Sequence, residues 1–243
     1  MPETTDGSVK AWLDGDPFDL RNLAALFAEG DVRVLHDEAE DRFYLTAPDI
    51  DNPPEPHRYN RPAEVLIKRL NGLARMHRAD FQPVRLSGSY TTPTGTRAFA
   101  TVTIDVAPRM SAYGVARGAD GKLIPQPPSP WTNRLALAGV NPDVSQVLNI
   151  LAHKDDFGWS ELYKVHEIIC HAVEPRTITD YGWTDKATDS AFRASANRAD
   201  VSGDAARHAR NRGTPPSRTM TLVEGRAYIG NLALKWVDHL VQA

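Results

Sequence analysis

The sequence predicts an α+β protein: an N-terminal antiparallel sheet with covering helices, followed by an all-α C-terminal four-helix bundle. Three observations predict it. Residues 84–90 and 101–106 alternate apolar and polar side chains (Val84, Leu86 and Tyr90 against Arg85, Ser87 and Ser89; Val102, Ile104 and Val106 against Thr101, Thr103 and Asp105). This period of two marks strands with one buried and one wet face. Residues 118–132 (GADGKLIPQPPSPWT) hold four prolines and two glycines, which interrupt regular structure. Beyond them no strand pattern appears, and four segments carry apolar residues at helical spacing. The expected organisation is therefore an α+β domain over 1–117, a proline-rich linker over 118–140 and a helical bundle over 141–243.

Taken in order, residues 19–27 space Leu20, Leu23, Ala24 and Phe27 as a short amphipathic helix. Residues 32–36 and 42–47 read as strands joined by the charged turn HDEAED, a hairpin. The proline-rich 51–62 reads as loop. Over 63–77, Val65, Leu66, Leu70, Leu73 and Met76 recur at helical spacing behind Pro62, a residue suited to a helix start. Pro93-Thr94-Gly95 is the turn expected to join 84–90 to 101–106, with the 63–77 helix covering their apolar face. Residues 143–151, 160–173, 185–211 (weakened at Ser202-Gly203) and 221–241 read as the four helices of the bundle. Thr221 and Glu224 stand in capping-box spacing at the start of the last.

A chain of 243 residues with 41% hydrophobic and 24% charged content is long enough for one large or two small cores. Collagen-like and disordered classes fall away on composition. No apolar run approaches the roughly 18 residues of a membrane span. The N-terminus is acidic and polar where a secretory signal would be basic and then apolar. A lone Cys170 leaves no internal disulfide and no multi-cysteine zinc site. The expectation is a soluble, cytoplasmic protein without a membrane partner and without a cofactor.

Several site patterns are absent or fail. In His166-Glu167-Ile168-Ile169-Cys170-His171 the histidines are five apart, so at about 100° per residue they face different sides of a helix. They do not form a metal site there. His166 falls on the apolar side with Trp159, Leu162, Tyr163 and Cys170, and His171 on the polar side with Ser160, Lys164 and Glu167. In such a setting Cys170 reads as an inert core thiol. No P-loop, GxSxG elbow or GxGxxG turn occurs.

Charge is the remaining lead. Residues 1–60 hold 14 acids against 5 bases, and residues 61–243 hold 17 acids against 23 bases, within a net charge of −3. Between 193 and 226 lie Arg193, Arg198, Arg207, Arg210, Arg212, Arg218 and Arg226 with His208, opposed only by Asp200, Asp204 and Glu224. Such a tract is either a solvated helix face or a footprint for phosphate. A pI near 6.2 speaks against a dedicated duplex-DNA binder. Guanidinium forks hold phosphate, and a histidine of near-neutral pKa exchanges protons. Together they meet the needs of RNA cleavage without a metal.

The C-terminal half resembles the HEPN superfamily, in its four-helix unit, its Arg, Asn and His late in the third helix, and the Gly213-Thr214-Pro215-Pro216 loop before the final helix. That family's motif places a histidine a few positions after an arginine and a polar residue. Here ten positions separate Arg198 from His208, with Ser202-Gly203 between. The resemblance implies a homodimeric, metal-independent endoribonuclease of the bacterial defence or stress type. Its catalytic residues would be His208, Arg198 and Arg207, and its substrate-binding residues Asn197, Arg193 and Arg210. The rival expectation is a non-catalytic protein-interaction module, or accessory subunit, that binds a protein partner and has no activity on nucleic acid.

Overall fold

The computed structural model describes residues 8–98, 129–153, 157–208, 214 and 217–243. The strand expected at 101–106, residues 118–128 of the expected linker, and Arg210 lie outside the described residues. The protein is of the α+β class, with a five-stranded antiparallel sheet in its N-terminal part and a mostly helical C-terminal half. It divides into two compact units: one takes the described residues of 8–67 and 82–133, the other 68–81 and those of 134–243.

In the first unit the strands are β1 (Lys10–Asp14), β2 (Arg33–Asp37), β3 (Arg42–Thr46), β4 (Arg85–Thr92) and β5 (Gly95–Ala98). Their order is β2-β3-β1-β4-β5, and all neighbours are antiparallel. The expected β2–β3 hairpin is present, paired from Arg33 opposite Thr46 to Asp37 opposite Arg42. In β4 every second residue is buried, as its alternation requires. The Pro93-Thr94 turn also forms, but β4 pairs at once with Gly95–Ala98. The central strand β1 has no counterpart in the sequence reading. Ala11, Trp12 and Leu13 are buried in succession, so a strand flanked on both sides and covered on both faces carries no alternation. The β1–β4 register shifts between Ala11 and Leu13, opposite Gly88 with φ +81°, a backbone state that glycine supplies at low cost within a bulge.

Helix α1 (Pro17–Leu26) starts where Asp16 accepts a hydrogen bond from the Phe18 N–H at 2.8 Å, with Pro17 in the first turn. A short α2 (Pro48–Asp51) precedes α3 (Asn60–His77). Residues 130–140, placed in the linker by composition, form α4 (Pro130–Val140).

The second unit contains the four expected helices: α5 (Pro142–Leu151), α6 (Trp159–Ala172), α7 (Lys186–Asn197) and α9 (Leu222–Gln242). Each has a chemical start signal. Asn141 caps α5 by accepting from the Val144 N–H, and Asp185 caps α7 by accepting from the Thr188 N–H. The Gly158 N–H donates to Glu161 at the head of α6. Thr221 and Glu224 close the expected capping box of α9, at 3.2 and 2.7 Å. Helix α6 packs against α5, α7 and α9, and Trp236 of α9 is 1% exposed in the core. A Cβ on Gly225 would stand 2.4 Å from the Trp159 ring, which measures how closely α9 crosses α6.

The bundle is not closed by these four helices alone, because the C-terminal half of α3 belongs to the same unit. Gly72 lets α3 approach α5 so closely that a Cβ would lie 2.6 Å from the Leu148 carbonyl oxygen and 2.8 Å from its Cα. Both obstacles are main chain and neither can swing aside. Gly72→Ala is therefore expected to destabilise the protein by about 1–3 kcal/mol despite alanine's better helix propensity. A thermal melt of the variant at or above the wild-type midpoint would show that the helices separate freely.

The third expected helix, 185–211, is shorter than its periodicity suggests. α7 stops at Asn197, a four-residue α8 (Ala199–Ser202) follows, and a 3-10 turn covers Gly203–Ala205. Gly203 takes φ +57°, outside the helical region.

Candidate functional site

Between the end of α6 and α7, within the helical unit, lies an open cleft of about 890 Å³. Its lining includes Cys170 from α6, Arg176 from the following loop, and Lys186, Asp189, Arg193 and Arg198 from α7 and its end. The loop wall is built by short-range polar contacts. The Asp180 carboxylate accepts from both the N–H and the hydroxyl of Thr177, at 2.9 and 2.7 Å, and buried Ile178 anchors it. These bonds hold the Asp180 carboxyl below the usual carboxylate range. Behind Arg176, the Tyr181 and Trp183 rings stack with centroids 4.7 Å apart, and the guanidinium lies 5.6 Å from the Tyr181 ring. Four cations against Glu174 and Asp189 make this cleft one that favours anions.

The structure brings together most of the residues that the sequence reading assigned to phosphate chemistry. After the 3-10 turn the chain returns to the end of α7. The Arg207 N–H donates to the Ala196 carbonyl at 2.9 Å and the His208 N–H to the Asn197 carbonyl at 3.3 Å. Arg198 and His208, ten positions apart, thus form a parallel main-chain bridge. A return of the chain, not one continuous helix face, makes them neighbours.

Their side chains are differently placed. His208 is exposed. Arg198 presents its fork to Asp200, at 3.0 and 2.7 Å, which holds the Asp200 carboxyl below its ordinary range. Arg207 donates to Glu167 at 3.1 Å and lies over the Tyr163 ring, 4.6 Å from its centroid. Asn197 donates to the Arg193 carbonyl at 2.9 Å, while its side-chain oxygen is buried and meets no donor among the described residues. Arg193 is exposed and reaches Asp189 at 3.8 Å. Both arginines expected to hold phosphate therefore already face a carboxylate. The Arg207–Glu167 pair is open to solvent and worth only about 0–1 kcal/mol, so exchange there for a phosphate costs little, whereas the Arg198 side chain is 14% exposed.

The sequence reading missed a buried polar network beside the cleft. His166, 4% exposed, places Nε2 2.6 Å from an oxygen of Asp189, a residue 23 positions away on α7. The Tyr228 hydroxyl of α9 donates to the same oxygen at 3.1 Å. Burial alone would pull the imidazole pKa down, but hydrogen bonds and charge from Asp189 and Cys170 outweigh it and hold His166 at about 9. Burial likewise opposes ionisation of Asp189, and His166 overrides it, keeping the carboxyl below its usual range. Burial and the Asp189 charge push the Tyr228 phenol above its ordinary value. The pair is imidazolium and carboxylate at neutral pH. The signal available in sequence was His166 itself: an imidazole on an apolar face needs a buried partner.

Cys170 also departs from expectation. It is half-buried and lines the cleft, with Sγ 3.7 Å from both ring nitrogens of His166. His171 is on the solvent side, 83% exposed beside Glu174, so the two histidines of α6 do face apart. Among the described residues no group of three or more His, Cys, Asp or Glu side chains is arranged to hold a metal ion, and no helix is long and apolar enough to cross a membrane.

No protein-family model, no curated protein and no solved structure matches the chain.

Proposed function

We propose that the protein binds single-stranded RNA along the cationic cleft of its helical unit, and that His208 makes it a metal-independent endoribonuclease. The observation that carries the reading is the bridge between Arg198 and His208: Arg198 lines the cleft, and the bridge brings the main chain of His208, an exposed residue, next to it. A phosphate track over Lys186, Arg193 and Arg198 would pass this junction. There His208 takes the 2′-hydroxyl proton while Arg198 and Arg207 exchange Asp200 and Glu167 for the charge developing on phosphorus. The HEPN-like reading adds a homodimer, in which a second His208 would supply the acid for the leaving oxygen.

Binding and cleavage separate in one experiment. A labelled single-stranded RNA is incubated with protein in EDTA at several salt concentrations. Wild type is expected to bind with a salt slope that falls by about 0.7 for each lost phosphate contact. Lys186→Ala with Arg193→Ala should lower that slope by roughly 1.4 and weaken binding at moderate salt about tenfold or more. His208→Ala should bind as wild type and cleave at least a hundredfold more slowly, the low end of what a positioned proton-transfer group contributes, about 10²–10⁴. Binding without cleavage in wild type removes the chemistry and keeps the RNA surface. No binding at low salt overturns the reading and leaves the non-catalytic interaction module.

A further inference from the structure

We propose that Cys170 is a nucleophile serving the cleft, attacking small electrophiles that carry a carboxylate or phosphate group. Three features converge on its sulfur. The first is reach: Sγ lines the cleft and stands one helical turn from His166, 3.7 Å from Nδ1. The second is a fixed proton donor. His166 packs in a triangle of rings with Tyr163 and Phe192, centroids 5.7 and 5.2 Å away, and its Nε2 is 2.6 Å from an Asp189 oxygen. The ring is therefore held in place, with Sγ equally close, 3.7 Å, to Nδ1 and Nε2. The charged or titratable groups around this imidazole are Tyr163 and Cys170 on its own helix, Asp189 and behind it Arg193 on α7, and Tyr228 on α9; the Asp189 carboxylate favours the protonated ring, and Arg193 opposes it from farther away. A cation beside a thiol favours thiolate, the reactive form. The third is selection, because Arg176, Lys186, Arg193 and Arg198 border the same cleft and attract anions to it.

The step balances without a cofactor. The sulfur lone pair forms an S–C bond at the electrophilic carbon, and the leaving group departs with the electron pair of the bond that breaks. A basic leaving group takes the Nδ1 proton of His166, and Asp189 stays ionised throughout. Cys170 is the group that touches substrate; Asp189 and Tyr228 act through His166 and are positioning residues. The proposal stands apart from the RNA reading, since no RNA enters its test.

Cys170 is the chain's one cysteine, so alkylation of the intact protein, followed by mass, reports it directly. The probes are iodoacetate and iodoacetamide, at pH 7. Relative to free cysteine, the folded protein should prefer iodoacetate over iodoacetamide by about tenfold, and Lys186→Ala with Arg193→Ala should remove that preference. At pH 7 the folded protein should react with iodoacetate about tenfold faster than free cysteine does. His166→Gln and Asp189→Asn, checked for retained helicity, should lose that excess rate. A wild-type rate no higher than that of free cysteine, an unchanged reagent preference, or labelling only after denaturation each overturns the proposal.

Discussion

Arg75→Ala is expected to lower the unfolding free energy by about 3–5 kcal/mol, because each buried carbonyl it leaves without a donor costs about 1–3 kcal/mol. Arg75 is 6% exposed on α3. Its Nε donates to the Phe81 carbonyl at 3.1 Å, and Nη1 donates to the Leu151 carbonyl at 2.8 Å and to the His153 carbonyl. The guanidinium also lies 5.0 Å from the Phe157 ring centroid. Leu151 ends α5, where carbonyls lack helical partners and the helix dipole favours a cation. Truncation therefore strands several carbonyls and leaves a cavity the size of the side chain. Arg75→Lys keeps the charge but not the planar fork, so it should recover only part of the loss. Urea unfolding of both variants measures this; a loss below about 1 kcal/mol for the alanine variant contradicts the assigned role.

The second large effect is one of pH. His166 is held at about 9 in the folded protein against an ordinary 6.5. A pKa raised on folding contributes stability that is complete below the unfolded value and is lost as pH rises through the folded one. Between pH 6 and 9.5, wild type should therefore lose about 3 kcal/mol relative to His166→Gln, as 2.5 units correspond to. The Asp189 shift runs the other way: its contribution is present above the ordinary carboxylate range and vanishes as pH falls below it. Both shifts report one interaction, and it is strongest between roughly pH 5 and 6.5. Taking the difference from the variant removes His77, which burial and nearby arginines shift downward. Parallel stability–pH curves for the two proteins would show that the imidazolium–carboxylate pair does not form.

Legibility in the sequence followed the range of the interaction. Thr221 with Glu224, Asn141 with Val144 and Asp185 with Thr188 are contacts across three positions, and they mark the starts of α9, α5 and α7. The alternation of β4 and the β2–β3 hairpin are equally local. β1 escaped because its neighbours in the sheet come from residues 42–46 and 85–92, and burial on both faces erases its period. The end of α7 escaped for a related reason. The apolar spacing continues past Asn197, but the Arg207 and His208 amides are satisfied by the Ala196 and Asn197 carbonyls across a returning chain.

The candidate site shows the same division. Its arginines and His208 were visible as a charge tract, since composition alone reveals them. That Arg198 meets His208, and that Arg207 reaches Glu167 on α6, required the chain to return after Gly203, whereas Asp200 lies only two positions from Arg198. Cys170 and His166 were one helical turn apart on any reading. Asp189, 23 positions away, supplies the carboxylate that raises the His166 pKa.

By itself, then, the sequence determined the α+β class, the four helices of the C-terminal half and the chemical types available to a site, because periodicity, caps and charge act over a few residues. Tertiary structure decided the central strand, the inclusion of α3 in the helical unit and the juxtaposition of Cys170, His166 and Asp189. Those depend on which distant segments exclude water from one another, and burial, which sets the ionisation of His166, exists only once they have done so.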